Sequence, residues 1–184
     1  MSLLTYEDIM DLLDQGVVDF SDPSHITKHT NGASLDITLG RYVLYEDPRG
    51  GVIDLAHGGT LNVLQHDLLE SPFELHPGGF VLAQSQEVFN LPSDIAFELK
   101  LKSSQARNAL GHLLAGWADP WWHGSVLTLE YKNESEYHTH ILRYGMKAGQ
   151  IVFWRGKPVP KEFGYATKGR YNGDRTVQAS KGVQ

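Results

Sequence analysis

The chain has 184 residues, with 22 acidic against 16 basic side chains, a formal charge of -6 and 41% hydrophobic residues. That length suits one ordinary domain whose core needs no cross-links, and the negative charge argues against a general nucleic-acid or anionic-membrane surface. Cysteine is absent, which removes disulfides, thiol nucleophiles and every zinc site built on thiolate ligands.

In chain order, Thr5 and Asp8 are placed to cap a helix, Ile9, Leu12 and Leu13 give it an apolar stripe, and Gly16 stands where a helix end takes a left-handed residue. This opening stretch lacks a basic flank and a continuous apolar run. No signal peptide or membrane span is expected, and a soluble cytoplasmic protein is the default. Leu35, Ile37 and Leu39 then alternate with Ser34, Asp36 and Thr38, as Ile95, Phe97, Leu99 and Leu101 alternate with Ala96, Glu98 and Lys100. Both patterns predict half-buried strands. Shorter β-like runs at 41–45, 80–83, 87–91 and 150–154 are separated by turns such as Asp47-Pro48-Arg49-Gly50-Gly51 and His76-Pro77-Gly78-Gly79. Many short strands and few helices predict a mainly β fold, either a barrel or a jelly-roll-like sandwich.

The segment from Lys102 to Asn133 concentrates the chemistry. Ser103 and Ser104 can open a short helix, where unpaired N–H groups favour phosphate, and Arg107 follows Ser103 by one turn on the same face. A turn-rich piece around Gly116, Asp119, Pro120 and Gly124 leads into a strand. On it Val126, Thr128 and Glu130 share one face, and Leu127, Leu129 and Tyr131 the other. A carboxylate flanked by Leu129 and Tyr131 is partly desolvated, which raises its pKa and suits it to proton transfer; the alternative is a surface glutamate paired with a lysine. Residues 165–184 hold Lys168, Arg170, Arg175 and Lys181 against Asp174 alone, without an apolar period, and read as a mobile basic arm or lid.

Other groups carry less. His138 and His140 alternate after Glu134 and Glu136, but without a third clustered ligand they read as a solvated edge. Ser103 lacks the nucleophile elbow of a hydrolase triad. His123 reads as a turn residue, and Trp117, Trp121 and Trp122 as core or subunit-interface packing.

Taken together, Asn31 to Asp36 with Leu39-Gly40, the HPG at His76 to Gly78, the S-S-x-A-R from Ser103 to Arg107, His112, Ala115-Gly116-Trp117, Asp119-Pro120, the T-L-E-x-x-N from Thr128 to Asn133, and Arg170-Tyr171 resemble the dCTP deaminases of the dUTPase-related superfamily. The resemblance runs over nearly the whole length. It implies a single dCTP deaminase/dUTPase-like domain over 1–184. The expected fold is a distorted β-barrel or jelly-roll-like, dUTPase-type fold with a short N-terminal helix and a mobile C-terminal arm at 165–184. The implied reaction is zinc-independent hydrolytic deamination of dCTP to dUTP and ammonia, supplying dUMP and thymidylate.

On matching positions, Glu130 would be the general base that activates water for attack on C4 of cytosine. Ser103 and the Ala115 backbone would hold that water and the amino group, and Arg107 would support charge near Glu130 and the phosphates. Ser104 would bind phosphate, Asp119 the deoxyribose, and Arg170 with Tyr171 would close over the triphosphate. His112 would line the pocket, and Asp36 would support the site through hydrogen bonds to the arm. The resemblance also implies Mg2+ carried on the triphosphate and a homotrimer with active sites between subunits.

The chain departs from the family pattern at three positions: Lys102 stands at an arginine position, Leu114 at a threonine position, and Asp174 where an arm glutamine reads the base. Gly116-x-x-Asp119-x-x-Trp122-x-Gly124 further resembles a dUTPase motif, which makes a bifunctional enzyme releasing dUMP and pyrophosphate the second expectation. In that reading Asp119 also positions the water that attacks the α-phosphorus, and Trp122 sits near the sugar. A nucleotide-binding regulator without turnover is the third.

Overall fold

A computed structural model describes residues 1–22 and 24–182. Its strands are β1 (Ser2–Leu3), β2 (Val18–Asp19), β3 (Leu35–Glu46), β4 (Val63–Asp67), β5 (Phe73–Leu75), β6 (Phe80–Asn90), β7 (Ile95–Lys100), β8 (Leu110–His112), β9 (Trp117–Ala118), β10 (His123–Asn133), β11 (His140–Leu142) and β12 (Lys147–Arg155). The helices are α1 (Tyr6–Asp14), α2 (His25–His29), α3 (Ser103–Ala106) and α4 (Tyr165–Lys168). One sheet runs in the order β8-β10-β6-β3-β12-β7-β9, with β1 added to β12, β2 to β6 and β4 to β3, while β5 and β11 form a separate pair. The fold is mainly β, as the alternating patterns predict.

Helix α1 forms where the sequence placed it. The Asp8 carboxylate accepts from the Thr5 N–H at 3.1 Å, Ile9, Leu12 and Leu13 are buried, and Gly16 turns the chain at φ 73°. The strands are longer than the runs that announced them. Residues 35–39 and 41–45 fuse into β3, and 80–83 and 87–91 into β6. The β3–β6 ladder shifts register between Leu39 and Val43, at Gly40, where a Cβ would lie 2.7 Å from Gln84 Cγ and from the Ser85 carbonyl. A bulge there lets a long strand bend with the sheet instead of ending.

The first half of β3 corrects a second expectation. Asp36 and Thr38 are 1% and 3% exposed, so this strand is buried on both faces. The polar face is closed by partners: Asp36 is bound by Lys102 and Lys147, and the Thr38 hydroxyl donates to Glu87 Oε1 at 2.7 Å. An alternating pattern does not distinguish such a face from a solvated one.

The core is one apolar cluster. Its aromatic centre is Phe97, whose ring lies 4.8 Å from Phe89, 5.8 Å from Trp122 and 6.0 Å from Phe153. Trp122 is therefore a core residue at 6% exposure, whereas Trp117 is half exposed. Among the described residues no helix is long and apolar enough to cross a membrane.

The C-terminal arm is docked, which corrects the expectation of a free lid for its described part; residues 183–184 lie outside the described residues. The Val126 N–H donates to the Asp174 carbonyl at 2.9 Å and the Gly173 N–H to the His123 carbonyl at 3.0 Å. The Trp122 indole and the Ser125 hydroxyl both donate to the Tyr171 carbonyl, at 2.9 and 3.2 Å. Val177 is buried, and its N–H donates to Gln84 Oε1 at 3.0 Å. On the arm's side every one of these bonds uses a backbone atom, so the arm needs no apolar period to bind.

The HPG turn and the end of T-L-E-x-x-N meet at Asn133, which is fully buried. Its side-chain N–H groups donate to the Leu75 and His138 carbonyls, both at 2.8 Å, and its backbone carbonyl accepts from the Gly78 N–H at 2.9 Å. Replacing Asn133 by Ala removes both side-chain donors, though the His138 carbonyl keeps the Ser135 hydroxyl at 2.6 Å, and should cost about 1–3 kcal/mol in urea denaturation. A loss below about 0.5 kcal/mol, the range of a surface change, would show the joint to be dispensable.

Candidate active site

Strand β10 builds one wall of a cavity of about 330 Å³. Along it, Leu129 and Tyr131 turn into the core while Thr128 and Glu130 face the cavity, as alternation requires; Leu127, expected on the core face, also lines the cavity, where the ladder with β6 shifts register between Val126 and Thr128. Tyr131 anchors the inner face through a hydrogen bond from its hydroxyl to the Ala148 carbonyl. The register of β10 with β6 sets Glu130 opposite Leu82, which also lines the cavity. Burial pushes the Glu130 carboxyl above its ordinary pKa, partly offset by a hydrogen bond from the Ala115 backbone.

Ala115 is delivered by the turn between β8 and β9. Gly116, its neighbour, approaches β7 so closely that a Cβ would lie 2.8 Å from Leu99 Cβ, and the Leu99 N–H donates to the Gly116 carbonyl at 2.7 Å. Before it, Leu114 is held at φ 64° and stands 92% exposed, with its N–H donating to His112 Nδ1 at 3.2 Å. Burial lowers the pKa of His112, whose ring meets Tyr131 edge-on at 6.0 Å. It is a neutral buttress behind the turn, and the Leu114 N–H fixes Nδ1 as its acceptor.

The cavity gathers Glu130, Ala115, Trp122, Tyr171 and Asp174 from the expected site residues. Asp119 lies just outside the lining, exposed, its Oδ1 accepting from the Trp117 indole at 2.9 Å. Arg170 is turned along the arm, donating to the carbonyls of Lys181, at 3.1 Å, and Gly182. The Asp174 carboxylate accepts from Lys181 Nζ at 3.0 Å. Tyr165, Gln178 and Ser180 also line the cavity, and sequence reasoning missed them. Only the backbone path of the arm brings them there.

The remaining expected residues are elsewhere. Ser103, Ser104 and Arg107 lie exposed on α3 and its C-terminal end, and Arg107 lines a second cavity of about 580 Å³ that shares no lining residue with the first. Lys102, not a serine, is the N-cap of α3, and no side chain caps that end. His138 and His140 line this second cavity, with His140 Nε2 2.8 Å from the Asn108 carbonyl. Lys102 Nζ donates to Asp36 Oδ1 at 2.5 Å and Lys147 Nζ to Oδ2 at 2.6 Å, while Gln105 Nε2 reaches the Lys147 carbonyl at 2.6 Å. Asp36 thus braces α3 rather than the arm, and Lys102 is spent on that brace. Among the described residues no group of three or more His, Asp or Glu gathers as a metal site.

Two carboxyls of this region respond to pH with opposite sign. Burial alone would raise the Asp36 pKa, but hydrogen bonds and charge from Lys102 and Lys147 outweigh it and hold the carboxyl below 3.8. Its stabilisation is present above the unfolded value and lost as pH falls through the folded one. Asp36→Asn should therefore destabilise by about 2–4 kcal/mol at neutral pH, with the gap narrowing in acid. Glu130 is raised above 4.5, so its charged form opposes folding at neutral pH and costs nothing below the unfolded value. Glu130→Gln should melt higher than the parent at pH 7, with the difference vanishing near pH 4. Melting curves across that range check both, and equal offsets at every pH would refute them.

A dCTP deaminase-like family profile matches residues 3–156. A protein of Acidothermus cellulolyticus is 37% identical over 189 residues, covering 99% of this chain and 96% of its own, and one of Streptomyces avermitilis is 37% identical over 185 residues, covering 97% and 94%. Both are named "dCTP deaminase, dUMP-forming". Among solved structures, the 2'-deoxycytidine 5'-triphosphate deaminase of Agrobacterium tumefaciens superposes with a TM-score of 0.67 at 20% identity, over 84% of this chain and 48% of that one, and so shares the fold. This chain spans about half the length of that solved chain. The relatives' names overturn dUTP as the expected product, and with it a role in dUTP supply, because the relatives are named for forming dUMP. The chain belongs to the dCTP deaminase-like family.

Proposed function

We propose that this protein converts dCTP to dUMP, ammonia and pyrophosphate at the cavity beside Glu130. One observation carries the reading: a half-buried carboxyl with a raised pKa faces a cavity of about 330 Å³, against the backbone of Ala115. A glutamate so tuned accepts a proton from water near neutral pH more readily than an ordinary one. The water oxygen bonds to C4 of cytosine as one of its protons passes to Glu130 and the C4=N3 π electrons move onto N3. Glu130 then returns that proton to the amino nitrogen, the C4–N bond breaks and ammonia leaves with the electron pair, while the remaining hydroxyl proton passes to N3, leaving the C4 carbonyl of uracil. A second water attacks the α-phosphorus and the bond to the β-phosphate oxygen breaks, releasing pyrophosphate; Asp119, fixed by the Trp117 indole, would position that water. Mg2+ would be held by phosphate oxygens of the nucleotide, where it neutralises their charge.

The site would be completed by a neighbouring copy in a homotrimer. None of the thirteen residues lining the cavity is basic, yet the substrate is a polyanion, and Ser103, Ser104 and Arg107 sit on another face of the same chain. A symmetric assembly brings such separated faces together. Ser103 would then help hold the attacking water, Ser104 would take a phosphate, and Arg107 would supply charge beside Glu130.

Product chromatography after incubating the protein with dCTP and Mg2+ tests the reaction. Stoichiometric dUMP and pyrophosphate are expected, and an end product of dUTP, or none, would refute it. Glu130→Gln and Arg107→Ala should each lose about 10²–10³-fold in kcat. Equal mixtures, unfolded and refolded together, should recover about a quarter of parental activity, because a quarter of randomly formed interfaces pair two intact halves. No recovery would place Glu130 and Arg107 in one subunit's site.

A further inference from the structure

The charge balance of the Glu130 cavity points to a residue that the family resemblance did not single out. The lining contributes two carboxylates, Glu130 and Asp174, and no cation. Yet Lys181 Nζ stands at its wall: it donates to Asp174 Oδ2 at 3.0 Å and lies 4.7 Å from the centre of the Tyr171 ring, and both partners line the cavity. Ser180, its neighbour in sequence, lines the cavity as well. The same ammonium donates to the Arg170 carbonyl at 2.6 Å, and the Lys181 N–H donates to the Tyr171 hydroxyl at 2.9 Å. The end of the arm is thus folded back so that its cation is held beside two residues of the cavity wall by an anion of the arm itself.

We propose that Lys181 is a phosphate-binding residue of the closed arm and that Asp174 holds it in reserve until a polyphosphate displaces the carboxylate. The exchange keeps Lys181 paired throughout. Before the ligand arrives the carboxylate satisfies the ammonium. Afterwards a phosphate oxygen, carrying more charge and able to take a charge-assisted hydrogen bond, replaces it. Asp174 thereby opposes anion binding twice, by its own charge at the cavity wall and by occupying the cation. Such a pair weakens affinity for a polyphosphate without weakening the docked arm, whose backbone bonds to β10 involve other atoms.

The inference rests on the nucleotide triphosphate reading, and its test separates the two. Binding of dCTP, dCMP and inorganic triphosphate, each with Mg2+, is measured by calorimetry at fixed salt for single and double variants. Lys181→Met should weaken dCTP and inorganic triphosphate about 10-fold or more, the worth of one charge-assisted hydrogen bond, and dCMP by less than about twofold. Asp174→Asn should move affinity for both triphosphates the other way, tightening it severalfold. The double variant should bind like Lys181→Met alone. A merely structural strap predicts that both single substitutions weaken binding together, with matching falls in melting temperature, and that result overturns the proposal. So does triphosphate affinity unchanged in Lys181→Met. A protein that binds inorganic triphosphate through Lys181 but releases no dUMP refutes the reaction and leaves the residue's role standing.

Discussion

Everything at the site depends on one strand being held on its inner face strongly enough to carry a costly group on its outer face. Burying Leu129 and the Tyr131 ring on β10 is worth roughly 1.5–3 kcal/mol for each large side chain. The Tyr131 hydroxyl fixes the strand's depth against β12 through the Ala148 carbonyl. Alternation then leaves no choice about Thr128 and Glu130, which must stand at the cavity. A carboxyl whose pKa is raised by burial is a local loss of stability, and it persists because its neighbours in sequence are committed to the opposite face.

The elements read most clearly from sequence were those whose signal is local. Helix α1 was written in Thr5, Asp8, its three buried apolar residues and Gly16, and the facing of Glu130 followed from period two alone. Strand ends were less legible, because Gly40 looks like a breaker when it in fact marks a bulge inside a long strand. The burial of Asp36 was hidden because its lysine partners are distant in sequence, Lys102 by 66 positions and Lys147 by 111. The docking of the arm was hidden for another reason: it is made chiefly through backbone atoms, which every residue has.

The separation of charge is equally informative. The chain keeps the raised carboxyl of Glu130 in a cavity with no basic lining, and its serine–arginine turn on a different face, braced from behind by Asp36, Lys102 and Lys147. That arrangement lets burial dominate at Glu130 and hold its pKa up, with no lining residue of the cavity supplying a cation to lower it. In the proposed trimer, cationic help would come from a neighbour and from the arm, so the electrostatics of catalysis would be completed only by assembly and closure.

The contact of Gly116 with Leu99 makes the two ends of the cavity unequal in their capacity to change. At the Ala115 end the wall is backbone pressed on backbone, with no side chain to shorten and no room for one to grow. At the other end the wall is Tyr171, Asp174, Gln178 and Ser180, side chains on a docked strap that can be exchanged while its backbone bonds to the sheet are kept. Selection or engineering acting on this fold can therefore alter what the far part of a ligand may be far more readily than it can alter the shape of the group lying against Glu130. Diversification would be expected to accumulate along the arm while the turn at Gly116 stays closed to it.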